Sequence, residues 1–420
     1  MTFGLSLIFI ILTILSLRIS YYLSSSNNGR IFLSPILIFT LFQILMVNIG
    51  LFITTITYQK YFFPFLIIIL STFSLNLGAL FLNKTKYDYV ISNNTQTKRN
   101  KLIILIGYIL TCTILIYLLK DVLNGFILFI NELIGGNLVG AIKSLAESRR
   151  SFSFMSGSTG IINEFKNIIL VFLTIYIISS NYKWYFKVAI LLITTFFLLS
   201  TGQRWPIFEA ILVYLVFLSY SKNFKFDLKK IFIIGGFFYI FLFIISYFQS
   251  RYQISNNLFE NLISNAQAIN YRLFVSQNLT SIYIFDLIPN TMDFGMGDYI
   301  KKDFSTYLPG YQEGFATYVY KLTHFGRAGS ASFSSLTLFY ADFSFFAIFI
   351  SFFYGLLIQF YSNSIFSKKI SLHRIIFHSF VVLAISTTSL GSLSGIITHG
   401  LLSGFLMFKL LSVCLKSKKI

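Results

Sequence analysis

Negative charge is what this chain has least of. Of its 420 residues, 14 are Asp or Glu against 33 Lys or Arg, and charged residues of both signs amount to 11%. Hydrophobic residues make up 56% and the mean hydropathy is +0.76. So little polar surface cannot cover a soluble domain of this length, which excludes a water-soluble fold and requires a polytopic membrane protein. Cysteine is scarce too. Cys112 and Cys414 both fall in apolar runs, at different expected depths, so neither a disulfide nor a thiolate metal site is expected. Also missing are a P-loop, zinc-ligand spacing, a G-x-S-x-G elbow and an internal repeat, which removes support for ATP-driven transport, zinc chemistry and a repeat-built transporter.

Long apolar runs are what the chain has in abundance. A spanning helix needs about 20 mostly apolar residues. Eleven runs reach or approach that length: about 2–23, 31–53, 61–82, 102–119, 167–181, 188–201, 206–220, 231–249, 332–361, 375–390 and 393–414. The run at 332–361 is too long for one straight span and is expected to begin as a helix along the surface. A weaker apolar piece at 122–142 is expected in the interface or as a re-entrant segment. The first run lacks a basic leader and a small-residue cleavage site, so it reads as a retained anchor.

The basic residues sort by loop. Lys84, Lys86, Lys98, Arg99 and Lys101 precede the fourth span; Lys222, Lys225, Lys229 and Lys230 follow the seventh. Lys368, Lys369 and Arg374 precede the tenth, and Lys416, Lys418 and Lys419 close the chain. With eleven spans all four groups share one face, which then holds 20 of the 33 basic residues but only Asp88 and Asp227 of the acids. The positive-inside rule makes that face cytoplasmic, with the N-terminus outside and the C-terminus inside. The net charge is therefore a topology signal, and no nucleic-acid partner is implied.

The expected fold class is thus an all-α polytopic membrane protein with about 11 transmembrane helices, in the range 10–12, and two larger outer segments. Its divisions are helices over 1–119, an outer segment at 120–166, and helices over 167–249 that include a hairpin at Arg204. A large outer loop at 250–330 and C-terminal helices over 331–420 complete it.

Positive-inside bias works against arginine on the outer face, so Arg149, Arg150, Arg204, Arg251, Arg272 and Arg327 are candidates for a phosphate-binding role. Arginine presents a planar fork of donors that matches phosphate oxygens and stays charged beside apolar surface. Snorkelling, or pairing with acids such as Glu147, Glu164 and Asp286, is the structural alternative. Arg204 sits in Thr201-Gly-Gln-Arg204-Trp-Pro206, between two short apolar runs, with Glu209 just beyond. An ionisable group inside a span is a functional candidate, and a buried Arg204–Glu209 pair is the bland reading. Asp342, at the start of the run that re-enters the membrane, would orient a sugar hydroxyl or accept its proton, or else cap a helix. His324 lies beside glycines on a water-facing loop, where a histidine can serve as a base near neutral pH. Gly295, Gly297 and Tyr299 suggest a tight turn able to approach a sugar.

Four stretches resemble the Wzy-type O-antigen polymerases. One is an outer segment ending Glu147-Ser-Arg149-Arg150 before a glycine–serine stretch, with Gly160 at the family's arginine-to-glycine spacing. Another is the hairpin Ser200-Thr-Gly-Gln-Arg204. A large outer loop carries a glycine–tyrosine turn and Leu308-Pro-Gly310. The last is Ser332-Phe-Ser-Ser-Leu-Thr-Leu-Phe-Tyr340-Ala-Asp-Phe, followed by Ser344 in the place of a usual glycine.

The resemblance implies a GT-C-like membrane glycosyltransferase architecture in a bacterial inner membrane, with both larger segments periplasmic. It implies metal-independent, cofactor-free, inverting transfer of a glycan from one undecaprenyl diphosphate onto a repeat unit carried by another. Arg204 and Arg272 would bind the donor diphosphate, with Arg149 or Arg327 near the acceptor. Arg150, Arg251 and Tyr340 would line the site, and Glu209, His324 and Asp342 are the candidate bases. Membrane lipids, a chain-length regulator and a flippase are the implied partners. An O-antigen ligase acting on lipid A core is the nearest alternative; a flippase or transporter for the lipid-linked unit is a more distant one.

Overall fold

The computed structural model describes residues 2–25, 31–83, 98–154, 159–201, 203, 205–221, 258–271, 277–305, 313–324, 332–366, 371–391 and 393–414, with a few positions between 233 and 244. Described residues are almost all helical, and none forms a strand beyond one isolated bridge between Ser25 and Ile31. Six helices are long and apolar enough to cross a membrane: Gly4–Leu23, Pro35–Thr57, Gln59–Phe81, Asn100–Leu118, Gly160–Ser179 and Ser335–Ser364. Trp184–Ser200, Trp205–Ser221, Leu372–Thr387 and His399–Cys414 are apolar but shorter. These ten coincide with ten of the eleven apolar runs; the run at 231–249 lies largely outside the described residues.

Exposed faces fit lipid rather than water. Phe349, Phe353, Leu357 and Phe360 are each 60% exposed or more and recur every three to four residues along one helix. A stripe of that size is tolerated only where hydrocarbon covers it.

The chain forms two compact units. The first comprises Met1–Tyr89, Asn270–Lys368 and Val382–His399; the second comprises Val90–Ile269, Lys369–Val381 and Gly400–Ile420.

In the first unit, Phe62–Phe81 packs along Ala347–Phe366 through two glycines. A Cβ on Gly78 would collide with the Phe352 carbonyl, and one on Gly355 with the Leu75 carbonyl. Small residues at such a seam let backbones approach where no hydrophobic force drives helices together in lipid. Neutral polar side chains add interhelical bonds, Asn48 Nδ2 to Thr72 Oγ1 at 3.2 Å and Thr40 Oγ1 to Asn76 Oδ1 at 3.1 Å, and within its own helix Gln43 Nε2 donates to Asn48 Oδ1 at 3.0 Å. Ser334 Oγ donates to Gln43 Oε1 at 2.6 Å. At the unit's ends, Lys60 pairs with Asp286 at 2.6 Å and Asn363 Nδ2 donates to the Leu82 carbonyl at 2.7 Å. Each pair joins segments that the alternating-span topology puts on the same face.

The long run at 332–361 is broken, as its length demands. Ser334 caps a helix Ser335–Phe343 by accepting from the Leu336 amide; a 3-10 turn Ser344–Phe346 follows, then Ala347–Phe366. All residues of the first piece from Ser335 to Asp342 are buried, because it runs through the unit's interior. The break falls where Ser344 adopts φ +52°, ψ −128°, a conformation that side chains resist and glycine accepts. The backbone at this position therefore favours glycine over the serine it carries. Ser344→Gly is expected to stabilise the protein by about 1 kcal/mol, seen as a higher melting midpoint in detergent. An equal gain from Ser344→Ala would show that strain is not the cause.

Within the second unit, the weak apolar piece at 122–142 forms a helical hairpin rather than a span. Lys120–Ile134 turns at Gly136, φ +76°, into Leu138–Phe154. Lys101 Nζ reaches the Asn181 carbonyl at 3.2 Å, and Tyr182 Oη donates to the Lys101 carbonyl at 3.1 Å. That contact again unites segments assigned to one face.

Candidate functional site

Among the described residues, a polar cluster with two buried ionisable side chains of opposite type, Lys166 and Glu209, lies in the second unit around Thr201. Ser148 fixes its first wall. Its hydroxyl is within 3.1 Å of the Val122 carbonyl and 2.6 Å of the Ser200 carbonyl. Gly125 makes room, since a Cβ there would stand 3.2 Å from the Ser148 Cβ. The helix carrying Arg149 is thereby tied to the end of Trp184–Ser200. Arg149 is itself partly buried.

Lys166 supplies the next wall. The helix over Gly160–Ser179 relaxes into π-type geometry at Glu164–Ile169, a distortion common at functional positions. Lys166 sits in that stretch with none of its side chain exposed. Its Nζ donates to Thr201 Oγ1 at 2.8 Å and lies 5.1 Å from the Phe152 ring centroid. Thr201 is fully buried and opens the hairpin.

Glu209 closes the cluster and is 3% exposed. Oε1 accepts from Trp205 Nε1 at 2.6 Å, one helical turn earlier, and Oε2 accepts from Asn167 Nδ2 at 3.5 Å. Trp205 stacks on Phe208 with centroids 4.9 Å apart. Glu209 also interacts electrostatically with Lys166. An amine, a carboxylate, an amide, a hydroxyl and an indole thus meet at the mouth of apolar helices. Such an assembly can hold a ligand bearing both donors and acceptors.

The sequence candidates in the first unit have other surroundings. Asp342 is completely buried, with Oδ1 accepting from the Gly297 and Tyr299 amides at 3.0 Å each and Oδ2 from the Ile300 amide at 2.8 Å. Its own carbonyl accepts from the Met296 amide at 2.8 Å. The carboxylate caps the helix Asp298–Ser305 and holds the turn before it, which is the capping role the sequence offered as the alternative to a base. The turn glycines serve the same contact. A Cβ on Gly295 would strike the Asp342 carboxylate, and Gly297 has φ +104°. They bring backbone to a carboxylate, not to a sugar. Asp303 acts alike, accepting from the Ser394 amide at 2.8 Å.

Tyr340 is 2% exposed, its ring set edge-on to Phe285 at 5.2 Å and Phe294 at 5.9 Å. It is a core residue, and its ring is not presented to substrate. His324 has Nδ1 2.9 Å from Thr323 Oγ1 and stacks on Tyr320 at 4.0 Å. Nearby, burial pushes the Tyr299 phenol above its ordinary range, and its hydroxyl donates to the Asp293 carbonyl at 2.8 Å.

Arg204, Arg251, Arg272 and Arg327 lie outside the described residues, as does the side chain of Arg150. Sequence reasoning passed over Lys166, Asn167 and Thr201. The signal was Glu164-Phe-Lys-Asn167 at the edge of an unbroken apolar run, where a lysine carries as much information as an arginine.

No protein-family model, curated protein or solved structure matches the chain.

Proposed function

We propose that this protein is a membrane glycosyltransferase that polymerises oligosaccharide repeat units carried on undecaprenyl diphosphate. It would work at the periplasmic face of a bacterial inner membrane, with its N-terminus periplasmic and its C-terminus cytoplasmic. The observation that carries the reading is the buried cluster of Lys166, Thr201, Glu209 and Asn167 at the root of the Arg204 hairpin. Ionisable side chains are costly beside hydrocarbon and are kept there for a function. A lipid-linked substrate brings its diphosphate and first sugar to that depth. The loose sequence resemblance points the same way.

In this reading an acceptor hydroxyl attacks the anomeric carbon of the donor glycan. The new glycosidic C–O bond forms as the anomeric C–O bond to diphosphate breaks, and undecaprenyl diphosphate departs with the bonding pair. Arg204 receives the charge growing on that diphosphate, the kind of electrostatic stabilisation that dominates catalysis with activated leaving groups. Glu209 orients the attacking hydroxyl and takes its proton, while Lys166 balances the carboxylate at rest. Asp342 has no chemical role.

Purified protein given defined lipid-linked repeat units is expected to extend them without ATP or added metal. Arg204→Ala should abolish the ladder, and Glu209→Gln should slow it about 10²–10⁴-fold. An intact ladder from Arg204→Ala protein at normal levels would refute the diphosphate assignment. Transfer to lipid A core without elongation would indicate a ligase, and movement of units across the bilayer without bond formation a transporter.

A further inference from the structure

The amide of Asn167 has an orientation that Glu209 dictates. A carboxylate offers only acceptors, so the NH2 group of Asn167 must face Glu209 Oε2, 3.5 Å away, and Oδ1 must face elsewhere. That oxygen is buried and has no hydrogen-bond partner among the described residues. Asn163, four residues earlier and so about one turn away on the same helix, has the same condition: its Oδ1 is buried without a partner among the described residues. A buried acceptor left unmade costs about 1–3 kcal/mol, and two in succession next to a buried lysine call for a donor from outside the chain.

The chemistry of that donor is constrained. A metal cation would find no group of three or more His, Cys, Asp or Glu side chains among the described residues, and the Lys166 amine lies buried on the same stretch. A neutral ligand rich in hydroxyl groups needs no such group. It can donate to Asn167 Oδ1 and to Glu209, and can lay an apolar ring face against the partly buried Trp205 indole. We infer that Asn167, with Asn163 one turn away, is a sugar-hydroxyl acceptor that reads the carbohydrate of the ligand rather than its diphosphate.

This assignment rests on the proposed function for its choice of sugar, and its test does not require turnover. Binding to nanodisc-embedded protein is measured with two probes, undecaprenyl diphosphate and the same lipid bearing a disaccharide. Wild-type protein should prefer the sugar-bearing lipid at least 10-fold. Asn167→Leu should erase that preference and leave the affinity for the sugar-free lipid unchanged; Asn167→Gln, which restores an acceptor, should recover part of it. A preference that survives Asn167→Leu overturns the assignment, as does the absence of any preference in wild type, which would mean that water alone fills the site. If sugar-dependent binding is lost in Asn167→Leu yet wild type elongates nothing, the inference stands and the polymerase reading falls. If polymer grows at the same rate and acceptor KM in both, only the inference falls.

Discussion

Replacing Lys166 by methionine is expected to destabilise the protein by about 3–5 kcal/mol, the range measured when one partner of a buried charge pair is removed. Methionine fills a similar volume, so the loss comes from electrostatics and not from a cavity. The Thr201 hydroxyl loses its partner at 2.8 Å, and the Glu209 carboxylate, 3% exposed, loses one of its electrostatic partners. The second half of the prediction separates this from a general packing defect. Lys166→Met combined with Glu209→Gln removes both charges and should return stability to within about 1–2 kcal/mol of wild type, because a neutral buried pair needs no compensation. Thermal melts of the four proteins in nanodiscs, analysed as a double-mutant cycle, read the coupling directly. Additive losses would mean that the two side chains do not act as a pair. Activity should not return with stability, since the double variant lacks the carboxylate that takes the acceptor's proton.

Asp342→Ala should cost a similar amount, about 3–5 kcal/mol, and in a different place. Three backbone amides, at Gly297, Tyr299 and Ile300, lose one buried charged acceptor at a stroke. The turn and the helix Asp298–Ser305 would come loose first, so protease cleavage near 293–300 should rise many-fold before the membrane helices melt. Gly295→Ala should reproduce much of this phenotype, because its methyl would occupy the carboxylate's position. Combining the two changes should add little, as both break the same contact. Loss of activity in Asp342→Ala with unchanged proteolysis would instead restore the residue to the chemistry.

How much of this was legible beforehand differs by residue. The apolar runs were readable because hydropathy is summed along the chain, and ten of them stand as apolar helices. The break near Ser344 followed from length alone, though its burial did not. Glu209 was visible as an acid within a span; its bonds to Trp205 and Asn167 depend partly on helical spacing and partly on a neighbouring helix. For Asp342 and Tyr340 the sequence left two readings, because the same residues serve a site or a core. Only the arrival of the 294–300 turn and of Phe285 decides between them.

By itself the sequence determined that this is a helical protein embedded in a membrane, and where its apolar runs lie. Those properties depend on composition and on charge counted along one dimension. Tertiary structure decided which polar groups are already satisfied. Asp342 is spent on three amides and Tyr340 on aromatic packing, while Lys166, Asn167 and Glu209 converge at the hairpin. Hydrogen-bond satisfaction depends on partners distant in sequence, and no linear pattern records it.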